Sequence, residues 1–226
     1  MHSLSTAKLA MIAVVLGLVA GAGAVYVKGS ASGNDPAPPM SEMPVASADV
    51  EQGSCPATNE QVAALTPLAT GEVAAMAPQE EPASMAGLAF KAPDGSDVSI
   101  EDFSGRTLLV NLWATWCAPC REEMPALETL QQTAGGEAFE VVTINIDTGD
   151  DEKPRAFLEE IGVEHLPLYR DASMGVFNDL KRQGFAFGLP VTLLVDETGC
   201  LLAAMNGPAE WASDDALRLV EAAKGI

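Results

Sequence analysis

The chain has 226 residues, 48% apolar and only 5% aromatic, with 12 Lys and Arg against 32 Asp and Glu and a formal net charge of −20. That length holds one medium domain with appendages. The charge excludes a nucleic-acid binder and a protein that adheres to anionic headgroups, since both need concentrated Lys and Arg.

The N-terminal tip, residues 1–8, is followed by an uncharged run of 19 residues from Leu9 to Val27. As a helix this run is just long enough to span a bilayer core. The α-amine and Lys8 precede it without an acid, so the positive-inside rule keeps the tip in the cytoplasm and exports the rest. A cleaved signal peptide is the competing reading, with Ala22-Gly23-Ala24 as a small-x-small site. The apolar run continues past that site through Val25, Tyr26 and Val27, and the uncleaved single-pass anchor over residues 9–27 is the expectation carried forward. Either way the body of the protein is exported. The part beyond Lys28 holds 10 basic and 32 acidic side chains, a net −22, which favours partners with basic or neutral docking faces.

Residues 28–84 are rich in Ala, Pro, Ser and Glu and sustain no helical or strand period, so they read as a flexible linker with one short helix over Asn59 to Leu65. Met40, Met43, Met76 and Met85 have no Cys or His beside them and read as linker residues rather than a soft-metal site.

Residues 85–226 form the globular part, in which strand and helix alternate. Thr107 to Ala114 is a mostly apolar run suited to a buried strand, and Cys120 to Leu130 carries Met124, Leu127 and Leu130 at helical spacing. Phe139 to Asp147 is a second buried strand; Lys153 to Ile161 and Ser173 to Leu180 read as helices. Val191 to Val195 and Leu201 to Met205 flank the turn Asp196-Glu197-Thr198-Gly199, a hairpin signal. Ser213 is placed to cap a last helix, with Asp214 and Asp215 in its first turn. A β-α-β unit followed by a hairpin and a closing helix predicts an α/β domain with a mixed sheet flanked by helices.

The chemistry lies in Trp116-Cys117-Ala118-Pro119-Cys120, which follows a predicted buried strand and opens a predicted helix. Cys117 then stands at a helix N-terminus, where unpaired N–H groups and the macrodipole favour a thiolate, the attacking species in disulfide exchange. Cys120 lies one turn on, in reach of a mixed disulfide formed at Cys117. Pro119 fits the first turn, where the N–H it lacks would have no helical acceptor. Half of a zinc site is the competing reading of the pair. Zinc needs four ligands, whereas Cys55 and Cys200 are isolated and the only histidines are His2 and His165. Neither a metal nor a cofactor is expected.

The stretch Asn111-Leu112-Trp113-Ala114-Thr115-Trp116-Cys117-Ala118-Pro119-Cys120-Arg121-Glu122-Glu123-Met124-Pro125 resembles the thioredoxin-like reductases of bacterial envelopes. The nearest likeness is to the membrane-anchored TlpA type, with the cytochrome-c-maturation and spore-associated reductases as relatives. The resemblance covers about residues 86 to 222 and implies a thioredoxin-like fold in the exported domain. It implies a cis proline facing the redox pair, a role that Pro190 fits, and such a bond leaves backbone groups free to hydrogen-bond a substrate strand. It also implies that Glu123, three residues after Cys120, moves protons or sets thiol acidity; the plain alternative is a solvated glutamate on an acidic helix. The buried Asp and Lys that underlie the redox pair of cytoplasmic thioredoxin correspond to Asn111 and Thr143, so that acid–base pair is absent. Cys55 and Cys200 are both exported, where thiols tend to be oxidised. They are expected to pair as a structural disulfide, and the resemblance implies a second bridge of this kind.

The sequence between and beside the cysteines offers the thiolate no Lys or His, and Glu122 and Glu123 oppose it, which predicts a reductant. The expected protein is an inner-membrane-anchored thiol–disulfide oxidoreductase with its catalytic domain in the periplasm. By resemblance, its partners are a Sco-type copper chaperone and the copper subunit of cytochrome oxidase, and a membrane protein supplies its electrons. Reduction of apocytochrome c thiols is the second enzymatic reading, although Gly184-Phe185-Ala186-Phe187-Gly188-Leu189-Pro190 fits the signature of those relatives only in part. A copper-binding chaperone, with His165 as its sole added ligand, is the reading from another class.

Overall fold

The central strand explains the rest of the architecture. Thr107–Trp113 (β4) reads Thr-Leu-Leu-Val-Asn-Leu-Trp and every one of its residues is buried, as expected of a strand covered on both faces. The computed structural model describes Cys55, residues 59–81 and residues 83–224. The expected membrane helix over residues 9–27, the cytoplasmic tip and the linker up to residue 54 lie outside the described residues. Among those described, no helix is long and apolar enough to cross a membrane.

In chain order the described elements are helix Asn59–Leu65 (α1), strands Ala77–Pro78 (β1), Ala89–Lys91 (β2) and Asp97–Ser99 (β3), then β4, helix Ala118–Ala134 (α2), strand Phe139–Asn145 (β5), helix Glu152–Glu160 (α3), strand Tyr169–Arg170 (β6), helix Gly175–Arg182 (α4), strands Val191–Val195 (β7) and Leu201–Asn206 (β8), and helix Asp214–Lys224 (α5). The strands form one mixed sheet in the order β1-β8-β7-β4-β5-β6-β2-β3. β4 runs parallel to β5 and antiparallel to β7, and β5 runs parallel to β6. This is a thioredoxin-like α/β fold, and α2 and α5 pack against each other beside the sheet. The predicted strands and helices of residues 107–224 are present with ends moved by a few residues.

The boundary of the folded part differs from the expected one. Residues 59–84 are not a free linker: Val62, Leu65, Val73 and Met76 are buried in the core, as is Met85. α1 packs on α5 and β8, β1 pairs antiparallel with β8, and Gln79 N donates to Leu202 O at 2.9 Å. Val62 and Leu65 lie on one short helix, Val73 in a 3₁₀ turn and Met76 in the loop after it, so no sustained period marked them. Their order comes from β8 and α5, more than a hundred residues later. Burying Leu65, Val73 and Met76 contributes roughly 1.5–3 kcal/mol each. Met76 and Met85 are thus core residues, not linker residues.

Cys55 and Cys200 are disulfide-bonded with their Cα atoms 5.5 Å apart. Cys200 follows the β7–β8 turn, in which Asp196 Oδ1 accepts from Thr198 N at 2.9 Å and Cys200 N at 2.8 Å. Gly199 holds a φ of +86° there, and Ala86 lies against it. The bridge, the Ser84–Cys200 pairing and the bond from Met85 N to Gly199 O at 2.8 Å fasten the N-terminal segment along β8.

Candidate active site

β4 ends at Trp113 and the chain turns through Ala114, Thr115 and Trp116 into α2. The turn is held from below: Asp147 Oδ2 accepts from Thr115 N at 3.0 Å and from Asn145 Nδ2 at 2.9 Å, and Arg170 Nη2 donates to Asp147 O at 2.9 Å. Cys117 is the N-cap of α2, and its Sγ accepts from Cys120 N at 3.3 Å. The sulfur that would carry a thiolate therefore already lies on an unpaired helix N–H, at the positive end of the dipole. Pro119 occupies the first turn, as its missing N–H allows.

Cys117 and Cys120 are joined as a disulfide. Both residues are buried, but Cys117 retains 6% exposure and Cys120 none, so Cys117 is the nearer of the two to the surface. Arg121, the one cation of the motif, lies over the ring of Phe157 at 4.9 Å, a cation–π contact that draws the guanidinium toward α3. Leu189–Pro190 is a cis peptide, and Pro190 immediately precedes β7, the antiparallel neighbour of β4. The loop before it is clamped by one side chain at the end of β8: Asn206 Oδ1 accepts from Phe187 N at 2.8 Å and Asn206 Nδ2 donates to Phe185 O at 2.9 Å. Trp116 and Phe187 are the exposed large hydrophobic residues among those described, at 65% and 79%. One is adjacent to Cys117 and the other three residues before the cis proline. A shallow cavity lined by Thr115, Trp116, Asp147, Gly149, Lys153 and Pro154 adjoins the first of them.

Glu123 is not a solvated surface glutamate. It is 4% exposed, on the same face of α2 as Cys120 one turn earlier. Its Oε1 accepts from Asn111 Nδ2 at 2.8 Å, and its Oε2 accepts from Ala209 N and Trp211 Nε1, each at 3.1 Å. Burial pushes its pKa up to about 7, and the three N–H donors hold it below what burial alone would give. Asn111 in turn donates to Thr192 Oγ1 at 2.9 Å. Trp211 and Ala209 are the site residues that sequence reasoning missed: they lie 88 and 86 positions from Glu123, and no motif spans that separation.

His165 is remote from the redox pair. Its Nδ1 lies 2.7 Å from Glu128 Oε1, and Glu128 is eight residues beyond Cys120, about 12 Å along the helix axis. Among the described residues no three His, Cys, Asp or Glu side chains are grouped to hold a metal ion.

The redoxin family model matches residues 72–219. The chain belongs to the redoxin family. Its redoxin domain is 35% identical over 136 residues to the thiol:disulfide interchange protein HelX of Rhodobacter capsulatus, covering 59% of this chain and 70% of that one. It is 32% identical over 114 residues to the thioredoxin-like protein YneN of Bacillus subtilis, covering 50% of this chain. The match spans 63% of the length of YneN, a little under two thirds of that relative. A crystal structure of a thiol:disulfide interchange protein of the thioredoxin family from Chlorobium tepidum superposes with a TM-score of 0.51 at 25% identity, covering 66% of this chain and 96% of that one. In this redoxin the Cys-x-x-Cys pair opens a helix, with Cys117 6% exposed at its N-cap and Cys120 fully buried one turn on.

Proposed function

We propose that this redoxin is a protein-disulfide reductase that keeps cysteine pairs of exported partners reduced. The observation that carries it is the asymmetric pair on α2, with Cys117 at the N-cap keeping 6% exposure and a fully buried Cys120 one turn before the buried Glu123. In the reduced enzyme the Cys117 thiolate attacks one sulfur of a partner disulfide. The partner S–S bond breaks, a Cys117–partner bond forms, and the other partner sulfur leaves as thiolate. Cys120 then gives its proton to Glu123 and attacks Cys117 Sγ. The Cys117–Cys120 bond closes and the second partner sulfur departs. The partner gains two electrons and the enzyme loses two. A carboxyl with a pKa near neutral is suited to that proton transfer, and its negative charge, once formed, opposes a thiolate on the reduced pair and so favours a reductant over an oxidant.

The rest of the reading extends the sequence argument. The uncharged run over residues 9–27 supports an uncleaved single-pass anchor in the inner membrane with the domain in the periplasm. The resemblance of residues 111–125 to the TlpA type supports copper-handling partners, a Sco-type chaperone and the oxidase copper subunit, with electrons delivered by a membrane protein. The exposed Trp116, next to Cys117, and the exposed Phe187, three residues before the cis Pro190, offer these partners apolar contacts. The test offers the reduced enzyme two oxidised substrates, a copper-site cysteine pair and an apocytochrome Cys-x-x-Cys-His pair, and follows thiol release from each. Preferential reduction of the copper-site pair supports the first reading, and preference for the apocytochrome pair replaces it with cytochrome c maturation. A reduction potential near about −120 mV instead of about −270 mV would make the protein an oxidant and overturn both.

A further inference from the structure

Asn111 is fully buried at the middle of the central strand. Its Nδ2 donates to Glu123 Oε1 and Thr192 Oγ1, while its Oδ1 has no partner. Strand register makes Thr143, Asn111 and Thr192 one rung across β5, β4 and β7, and cross-strand neighbours point to the same face. Thr143 stands on the side of Asn111 away from Thr192, and its buried hydroxyl also has no partner. Each of these two buried oxygens on one rung is left without a partner, which is unfavourable.

An asparagine amide has donors at one end and an acceptor at the other, and a half-turn exchanges them. A carboxylate needs a donor opposite it; a carboxylic acid needs an acceptor for its proton. In the present orientation Nδ2 serves the carboxylate. After a half-turn Oδ1 would accept from the protonated Glu123 and from the Thr192 hydroxyl. Nδ2 would then turn toward the Thr143 side of the rung, and a rotation of the unpartnered Thr143 side chain would bring its hydroxyl oxygen to accept from it.

We propose that Asn111 is a positioning residue whose amide turns over as Glu123 gains or loses its proton, pairing with the carboxyl in both states and using Thr143 as the acceptor in one of them. The proposal rests on the reading of Glu123 as the proton acceptor for Cys120 and deepens it. The groups that contact the carboxyl are Asn111 on β4 and the neutral donors Ala209 N and Trp211 Nε1 after β8, and Cys120 stands one turn earlier on the same face of α2. Glu210, in that last segment, is exposed and accepts from Ala212 N at 3.3 Å. No charged side chain contributes to the raised proton affinity of Glu123. Since its pKa lies at about 7, both amide orientations are populated near neutral pH.

The test is a pH titration by NMR of the oxidised, isotope-labelled full chain, following Glu123 Cδ and the Asn111 side-chain amide. In the wild type the two titrate with one midpoint. In Thr143→Val, a near-isosteric change at a hydroxyl that a fixed Asn111 would never use, the acid form loses its hydrogen bond. The Glu123 midpoint then falls by about half to one pH unit. An unmoved Glu123 midpoint in Thr143→Val overturns the proposal. So does an Asn111 amide that stays constant while Glu123 titrates in the wild type, a readout that needs no variant to fold. The titration involves no turnover, so it stands or falls apart from the reductase assay. Failure of the reading beneath it would instead appear as an unchanged rate of mixed-disulfide resolution in Glu123→Gln.

Discussion

Replacing Glu123 by Gln should remove most of one component of the pH dependence of stability, and its size follows from the site. The carboxyl is 4% exposed and its pKa is raised from 4.5 to about 7, first of all by burial. Because the folded-state value is the higher one, the stability associated with this group is fully present below pH 4.5 and is lost as the pH rises through 7. The shift corresponds to about 3 kcal/mol between the two limits. Glutamine keeps the volume, its oxygen can accept from Ala209 N and Trp211 Nε1, and its amide can donate to Asn111 Oδ1 once that side chain turns. The variant should therefore gain on the wild type by about 3 kcal/mol between pH 4.5 and pH 8, or roughly 6–12 °C in Tm for a domain of this size. Urea unfolding of both proteins with disulfides intact, at pH 4.5, 6 and 8, isolates the difference, because every other titrating group is common to the two. A difference that stays constant within about 1 kcal/mol would refute the account of Glu123 as a carboxyl whose proton affinity is set by burial.

The other predictions concern the sulfurs and the rim. Cys120→Ser should trap a partner on Cys117 as a stable mixed disulfide, and Cys117→Ser should trap none, because Cys117 is the sulfur with residual exposure; non-reducing gels and mass spectrometry decide it. Removing the Cys55–Cys200 bridge as the double serine variant opens a loop with a sequence separation of 145. It should cost roughly 2–5 kcal/mol in chemical denaturation and expose residues 59–81 to protease before the rest of the domain. Phe187→Ala should leave stability within about 0.5 kcal/mol, because the ring is 79% exposed. It should lower kcat/KM for a protein disulfide several-fold more than for a small-molecule disulfide, and equal effects on both would remove Phe187 from partner docking.

The parts of the fold that could be read in the sequence are those whose stabilising partners repeat locally. β4 and β5 announce themselves as apolar runs, α2 by Met124, Leu127 and Leu130, and the β7–β8 hairpin by its Asp196 to Gly199 turn. The redox pair is legible for a related reason: Cys117, Pro119 and Cys120 do their work within one helical turn. The hairpin of β2 and β3 went unread because each strand has three residues, of which only Phe90 is fully buried. The order in residues 59–81 went unread because its partners lie on β8 and α5. Glu123 divides along the same line. The resemblance to the envelope reductases marked it as a candidate, but its burial, which decides its chemistry, depends on Trp211 and Ala209 from the far end of the chain.

The placement of that acid has a consequence for the chemistry. The resemblance to thioredoxin-like proteins matches Asn111 and Thr143 to the positions that hold a buried acid and a lysine in cytoplasmic thioredoxin, whereas in this chain the buried acid, Glu123, stands on the helix that carries the cysteines. With no cation beside it, the carboxyl is governed by burial on one side and by three neutral N–H donors on the other. Such a balance is insensitive to the salt screening that weakens pairs of exposed charges, but it responds to any loosening of the segment holding Ala209 and Trp211. Water reaching Glu123 would relieve the burial that raises its pKa and bring it back toward an ordinary carboxylate. Exclusion of water by Trp211, itself fully buried, is therefore what keeps the acid poised to take a proton from Cys120. Trp211→Phe keeps most of the ring and deletes one donor, so it should raise the Glu123 midpoint. Trp211→Ala admits water and should lower it. Opposite shifts in the two variants would separate burial from hydrogen bonding as the forces that set this site, and shifts of the same sign would mean that one of the two has been assigned wrongly.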